Sequence, residues 1–323
     1  MTVTHPAVTH LAGSASLQAP APLHAPAPLH ASAPQEHCLQ FDCAGSALTG
    51  IVSRPAQPPR LGVVIVVGGP QYRVGSHRQF TLLARRLADA GHAALRFDCR
   101  GMGDSDGPAR DFQDIDADID AAIAALRQDQ PSVQTVVLWG LCDAASAALL
   151  FVDGRARPGL GGLCLLNPWV RSAQSQARAQ VKHYYLQRLL QAAFWRKLAS
   201  GQVGLGRLAD LARNLGQMLA GRRPAGAPSS GAGLSFQQRM ARAWQRADCP
   251  VLLVLSGRDL TAKEFTDSLV ADPAWRGALG RPHLTRLDLV EADHTFSDPV
   301  MQSAVEQATL DWLQGLAAPG VSR

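Results

Sequence analysis

Leu138-Trp139-Gly140-Leu141-Cys142-Asp143-Ala144-Ala145-Ser146 is the stretch that decides the fold. A β-branched apolar run, 133–138, leads into it, and small residues suited to a helix, 144–150, lead out. Strand, Gly-x-nucleophile-x-small, helix is the pattern of a nucleophile elbow. So tight a turn needs small residues on its flanks, here Gly140 and Ala144. The apex residue then projects at a helix N-terminus. That residue is Cys142, where serine is usual. Taken alone, a cysteine reads as a small inert apolar side chain, so its surroundings must carry the case.

Outward from the elbow, strand-like and helix-like segments alternate. Residues 38–41 and 47–52 read as a strand pair joined around Gly45, and 61–67 as a buried strand leading to Gly68-Gly69-Pro70-Gln71. Residues 79–90 have helical spacing in Phe80, Leu83 and Leu87 and stop at Gly91. Strands are expected at 93–97, 162–166, 251–256 and 284–289, and helices at 115–126 and 300–313. This alternation implies a mainly parallel sheet with helices on both faces. In such sheets ligands bind beyond the carboxyl ends of the strands. The loops after residues 67, 141, 256 and 289 therefore meet at one edge.

The order of residues along those loops suits acyl chemistry. A cysteine nucleophile needs a base, and the base needs an orienting group. In this architecture the chain order is nucleophile, acid, histidine. Asp259 follows the strand at 251–256, and His294 follows the strand at 284–289. Glu264 and Asp293 are rivals for the acid. His283 precedes its strand and reads as a surface residue, while His92 begins a strand and reads as structural. The oxyanion hole should take one backbone N–H from Asp143 and another from the loop after residue 67. Pro70 has no N–H, which leaves Gly69 or Gln71, with Gln71 preferred. The paired glycines would let backbone approach the substrate, so Gly69 and the adjacent Tyr72 are expected to line the substrate site. The Asp143 side chain suits the positive end of its helix, although its charge would oppose a thiolate.

Composition bounds the rest. The chain has 323 residues, 46% of them apolar and 18% charged, ordinary values for a globular protein. Apolar runs are strand-length, far short of the roughly 20 residues of a membrane helix. The start shows no basic, then apolar, secretory pattern. Six cysteines without CxxC pairs give neither a zinc pattern nor a compact disulfide framework. A soluble cytoplasmic protein with reduced thiols is expected. No phosphate loop, metal cluster or dinucleotide fingerprint implies a cofactor, and no nucleic-acid partner is expected.

Residues 1–36 repeat Ala-Pro-Ala-Pro-Leu-His in tandem at 19–24 and 25–30 and are expected to form a disordered tail. The core then spans 37–169 and 247–323. Residues 170–246 interrupt it as a helical cap, with helical stretches at 181–198, 207–220 and 236–245. The cap holds thirteen basic residues and one acidic residue, Asp210, for a charge of +12; the remaining chain is −7. A single-sign insert concentrates anions, so an anionic small-molecule or carrier-linked acyl substrate is the expected partner. The stretch 181–198 sets Tyr184, Tyr185, Leu189, Phe194 and Trp195 beside Lys182, Arg188, Arg196 and Lys197. Such a helix can lie on an anionic membrane surface or pack the cap onto its core.

Arg96-Phe97-Asp98-Cys99-Arg100-Gly101-Met102-Gly103-Asp104-Ser105 resembles the Asp-x-Arg-Gly-x-Gly-x-Ser segment of the α/β-hydrolase superfamily. The resemblance covers roughly 38–169 and 247–316. Residues 68–80, together with 139–144 and 259–265, are more specifically similar to the exosortase A system-associated hydrolase family, type 1. That resemblance implies a bacterial cytoplasmic hydrolase encoded with exopolysaccharide and protein-sorting machinery. Two departures from the superfamily stand out: cysteine replaces serine, and Asp259 lies two residues after Gly257 where three is common. The expected activity is ester or thioester hydrolysis through an acyl-enzyme on Cys142, His294 and Asp259. Acyl transfer on the same residues is the alternative, as is a non-catalytic hydrolase fold that binds an anionic partner through its cap.

Overall fold

The computed structural model describes residues 35–69, 71–171 and 234–317. Eight strands form one sheet: β1 (Gln35–Cys43), β2 (Ser46–Arg54), β3 (Leu61–Val66), β4 (Ala93–Phe97), β5 (Thr135–Leu141), β6 (Leu160–Leu166), β7 (Val251–Ser256) and β8 (Leu284–Leu289). Their order is β1-β2-β4-β3-β5-β6-β7-β8. β2 runs antiparallel to β1 and β4, and the other pairs are parallel. β1 and β2 join through Ala44-Gly45, both at positive φ (51° and 82°), the twist-matched two-residue hairpin connection. The core begins at Gln35, just before the expected boundary, because Glu36 is held by Arg85 at 2.6 Å and Arg96 at 3.1 Å.

Among the described residues six α-helices cover the sheet: α1 (Gln79–Asp89), α2 (Asp116–Asp129), α3 (Asp143–Phe151), α4 (Phe236–Arg246), α5 (Leu260–Ala271) and α6 (Pro299–Ala317). Alternate residues of β3 face opposite ways. Val64 and Val66 join Ile119, Leu126, Leu149 and Trp244, from α2, α3 and α4. Val63 and Ile65 join Phe80, Leu87 and Leu313, from α1 and α6. Burial on both faces is why the central strands read as unbroken apolar runs. These are the layers of the α/β-hydrolase fold.

α4 was expected to close the cap. It packs on α3 instead, burying Met240, Ala243 and Trp244, with Trp244 against Phe265 and Trp275. A capping box of Ser235 and Gln238 starts it. The tail through residue 34 and the insert from 172 to 233, including 181–198 and 207–220, lie outside the described residues. Among the described residues no helix is long and apolar enough to cross a membrane.

β3 lies between β4 and β5, so the chain leaves β3 toward one edge of the sheet and leaves β5 toward the other. The crevice between the two exits is where ligands bind in open α/β sheets. Gly68–Gln71 and Cys142 stand at those exits.

Candidate active site

Sterics build the nucleophile side. Cys142 has φ 63° and ψ −123°, a conformation that strains a residue with a Cβ by roughly 1–3 kcal/mol. Its surroundings impose it. A Cβ on Gly140 would lie 2.6 Å from the Ala144 carbonyl carbon and oxygen, so the turn closes only on glycine. The Cys142 N–H donates to the Leu166 carbonyl at 2.9 Å, and its carbonyl accepts from Trp169 N–H at 3.2 Å. The apex is thus tied to the end of β6. Cys142 is half-buried, whereas Cys43, Cys99 and Cys164 are buried. Burial pushes the thiols of Cys99 and Cys164 well above the ordinary range. Cys38 is exposed and Cys249 half-buried.

Hydrogen bonds build the opposite side. His294 Nδ1 lies 2.9 Å from Asp259 Oδ2. That carboxylate first, and the Cys142 sulfur second, push the imidazole pKa from 6.5 up to about 10. Asp259 caps α5, accepting from Thr261 N–H at 3.0 Å and Ala262 N–H at 3.1 Å. Burial pushes its carboxyl up, but the hydrogen bond and charge of His294 and the two N–H donors outweigh it, and the pKa falls below the ordinary range. The rivals are engaged elsewhere: Glu264 pairs with Arg171, and Asp293 folds its own turn through Ser297 and Thr295. His283 stands before β8 and His92 before β4, where burial lowers the His92 pKa.

The loop after β3 is fixed at two points. Gly69 N–H donates to Asp143 Oδ2 at 2.7 Å. Farther on, Arg73 is buried, its N–H donating to Asp98 Oδ1 at 2.7 Å and its guanidinium pairing with Asp98 and Asp104. Asp98 also accepts from Asp104 N–H at 3.0 Å, so one buried carboxylate organises the turn-rich segment after β4. Gly69 N–H is thus taken, whereas Gln71 N–H makes no hydrogen bond among the described residues. Asp143, first in its helix, likewise has no preceding turn to accept its N–H. The glycine pair has a reason beyond substrate approach. A Cβ on Gly68 would fall 2.0 Å from Asp143 Oδ1, so Gly68 makes room for that carboxylate.

A cleft of about 500 Å³ opens beside this loop, lined by Gly69, Gln71, Tyr72, Met102, Gly103 and Arg110. Tyr72 is exposed, with its hydroxyl donating to Asp104 at 2.9 Å. Arg110, the cleft's charged lining residue, makes no ion pair among the described residues. No group of His, Cys, Asp or Glu among the described residues could hold a metal ion.

One residue at this edge escaped the sequence reading. Asn167 is fully buried at the end of β6, with φ 45°. Its Nδ2 donates to Ser256 Oγ at 2.9 Å and to the His294 carbonyl at 3.3 Å, and its Oδ1 accepts from Ser256 N–H at 2.9 Å. It joins the ends of β6 and β7 to the histidine loop. Its one sequence signal is a polar residue closing an otherwise apolar strand.

Comparison with known proteins agrees with the fold. The family described as serine aminopeptidase, S33, matches residues 57–270. This chain belongs to that family. It is therefore an α/β-fold hydrolase, although its elbow presents a cysteine and the family is named for serine. A search of curated proteins gives no match. The Pyrococcus furiosus esterase Pf2001 superposes with a TM-score of 0.58 at 14% identity, over 87% of this chain and 93% of that one. The dienelactone hydrolase of Anabaena variabilis gives 0.54 at 15%, over 88% and 99%. Est1E from Butyrivibrio proteoclasticus, solved with ferulic acid, gives 0.53 at 14%, over 85% and 99%. At these identities the likeness speaks for the fold.

Proposed function

We propose that the protein hydrolyses an ester or thioester through an acyl-enzyme on Cys142, with His294 as general base and acid and Asp259 as its orienting partner. The observation that carries this reading is the position of His294, bonded at 2.9 Å to Asp259, with its pKa raised by that carboxylate and by the Cys142 sulfur. In this reading Asp259 accepts Nδ1–H, and Nε2 remains to serve the sulfur. A histidine that keeps its proton at neutral pH supplies the cationic partner and proton donor that a cysteine nucleophile needs.

The thiolate attacks the acyl carbon, and the carbonyl π pair moves onto oxygen. Backbone N–H groups of Gln71 and Asp143 hold that oxyanion. The intermediate collapses, breaking the bond to the alcohol or thiol, which leaves with the proton from His294 Nε2. Water then attacks the thioester carbon and gives its proton to the same nitrogen. Collapse of the second intermediate releases the carboxylic acid and restores the thiolate–imidazolium pair.

The substrate proposed is anionic, either small or linked to a carrier. Two features support this: the insert's charge of +12 and Arg110 in the cleft. Three of the insert's cations pair with two carboxylates of the core, Arg171 with Glu264 and Arg239 and Arg242 together with Asp153. The charge available for recruitment therefore lies in 172–233 and in Arg246. A place in bacterial exopolysaccharide or exosortase-associated metabolism, in the cytoplasm, follows from the family resemblance of residues 68–80.

The deciding experiment offers a panel of neutral and anionic acyl esters and acyl thioesters and follows intact mass. A mass increment of the acyl group on Cys142, lost on further incubation, is the expected result. No increment from any member, with unchanged substrate, would reject the reading. A salt series addresses recruitment, because screening shortens from about 10 Å at 0.1 M to about 3 Å at 1 M. Turnover of the anionic members should fall steeply with salt and that of the neutral members should not.

A further inference from the structure

The side chain of Asp143 does something that a residue following a nucleophile has no need to do. It is not turned to solvent. It reaches across to the loop after β3, where Oδ2 accepts from Gly69 N–H at 2.7 Å and Oδ1 accepts from Ala144 N–H at 3.0 Å. The loop has given up a side chain to admit it, since a Cβ on Gly68 would sit 2.0 Å from Oδ1. Gly69 in turn adopts φ 58° with its N–H aimed at the carboxylate. One carboxylate therefore ties together the two elements that carry the oxyanion donors, the loop with Gln71 and the first turn of α3 with Asp143 itself. The other end of the loop is tied separately, by Arg73 to Asp98.

We infer that the Asp143 carboxylate is a positioning residue for the oxyanion hole, a latch that sets the separation of the Gln71 and Asp143 N–H groups through Gly69. The inference rests on the acyl-enzyme reading above. Charge-assisted bonds to backbone N–H are short and directional, and a donor displaced by a fraction of an ångström loses most of its effect on a developing oxyanion. The latch also explains why a carboxylate is kept beside a thiolate. It acts on the acceptor end of the reaction; burial pushes its carboxyl pKa up, and the Gly69 and Ala144 N–H groups offset part of that.

The test separates the oxyanion hole from the nucleophile. Alkylation of Cys142 by iodoacetamide breaks C–I as C–S forms and develops no oxyanion, whereas hydrolysis of p-nitrophenyl butyrate does. Asp143→Ala should lower kcat for the ester by roughly 10²-fold, the order seen when one oxyanion donor is lost, with KM changed less than about threefold. The alkylation rate of Cys142 should stay within about threefold of the parent. Asp143→Asn, which keeps an acceptor for Gly69 but no charge, should recover to within about tenfold. Melting temperatures are measured alongside. Should Asp143→Ala fail to fold, Asp143→Asn carries the test: a kcat loss of about threefold to tenfold at unchanged alkylation supports the latch. Unchanged kcat in a folded variant, or alkylation falling in step with kcat, would overturn the latch. Wild-type protein inert to the ester, or full turnover in Cys142→Ala, would instead overturn the acyl-enzyme reading.

Discussion

The two sides of the candidate site are built by different forces. On the Cys142 side, atoms that cannot overlap fix the geometry: Gly140 against Ala144 and Gly68 against Asp143. On the His294 side, the loops are open enough for many conformations, and hydrogen bonds to Asp259 and Asn167 select one. Steric exclusion leaves its mark in residue size, and so in sequence. A selection by hydrogen bonds leaves only polar residues, each with several possible partners.

The sharpest way to break this comparison is to remove the sulfur. Cys142→Ala should cut turnover by at least ~10³-fold with little change in fold, since the strained turn is set by its neighbours; circular dichroism and a steady-state assay check both. A variant that keeps full activity would leave the elbow a packing feature. On the other side, His294→Ala should cost at least ~10²-fold, the usual worth of general acid–base catalysis. Asp259→Asn should cost a comparable or smaller amount, because it acts through the histidine. A larger loss for Asp259→Asn would give the carboxylate a role of its own.

Stability should separate the two sides more finely. Gly140→Ala forces a Cβ against backbone and should destabilise by about 1–3 kcal/mol, as overpacking does. Asn167→Ala should cost a similar amount by leaving Ser256 N–H buried without a partner. The two would differ in kinetics. Gly140→Ala should slow alkylation of Cys142 and turnover together, and Asn167→Ala, which acts through the His294 loop, should reduce turnover more than alkylation. Urea titrations with iodoacetamide kinetics measure both.

The smallest expected effect is the pH dependence of stability. The His294 pKa rises from 6.5 to about 10 on folding, so the folded state favours the protonated ring. This contribution is fully present below about pH 6.5, declines above it and is gone once pH passes about 10. Asp259 behaves oppositely: its lowered pKa adds stability above the ordinary carboxylate range, lost as pH falls through the folded value. Denaturation across pH 6–10 should show an alkaline decline that His294→Ala flattens. An equally steep decline in the variant would assign it to other groups.

The central strands were legible because burial on two faces leaves apolar runs, while β1 and β8, half-exposed, show apolar residues only at intervals; all eight strands fall within a few residues of where they are expected. β5 begins at Thr135 and not Val133 because Val133 still belongs to the preceding turn, its N–H bonded to Gln130. The order of Cys142, Asp259 and His294 was legible because each follows a strand. Asp259 was preferred to Asp293 from its place after β7, but which carboxylate would bond His294 was not legible, since the two differ in the N–H groups they cap. Nor was the reach of the Asp143 side chain, which requires knowing that Gly68 passes above it. Asn167 stayed silent because a buried asparagine reads as a strand end.

The hydrogen bond from Gln237 Nε2 to the Val170 carbonyl, 3.2 Å long, has a consequence for how such a chain can change over generations. It stitches the point where the chain departs the core to the point where it returns, and Arg171 with Glu264 and Arg242 with Asp153 rivet the two margins. Once those margins are joined, the core is indifferent to the length of what is strung between them, because closing a longer loop adds only about 0.6 kcal/mol per doubling. Insertions and deletions between those margins can therefore accumulate while the sheet and its six described helices are inherited intact.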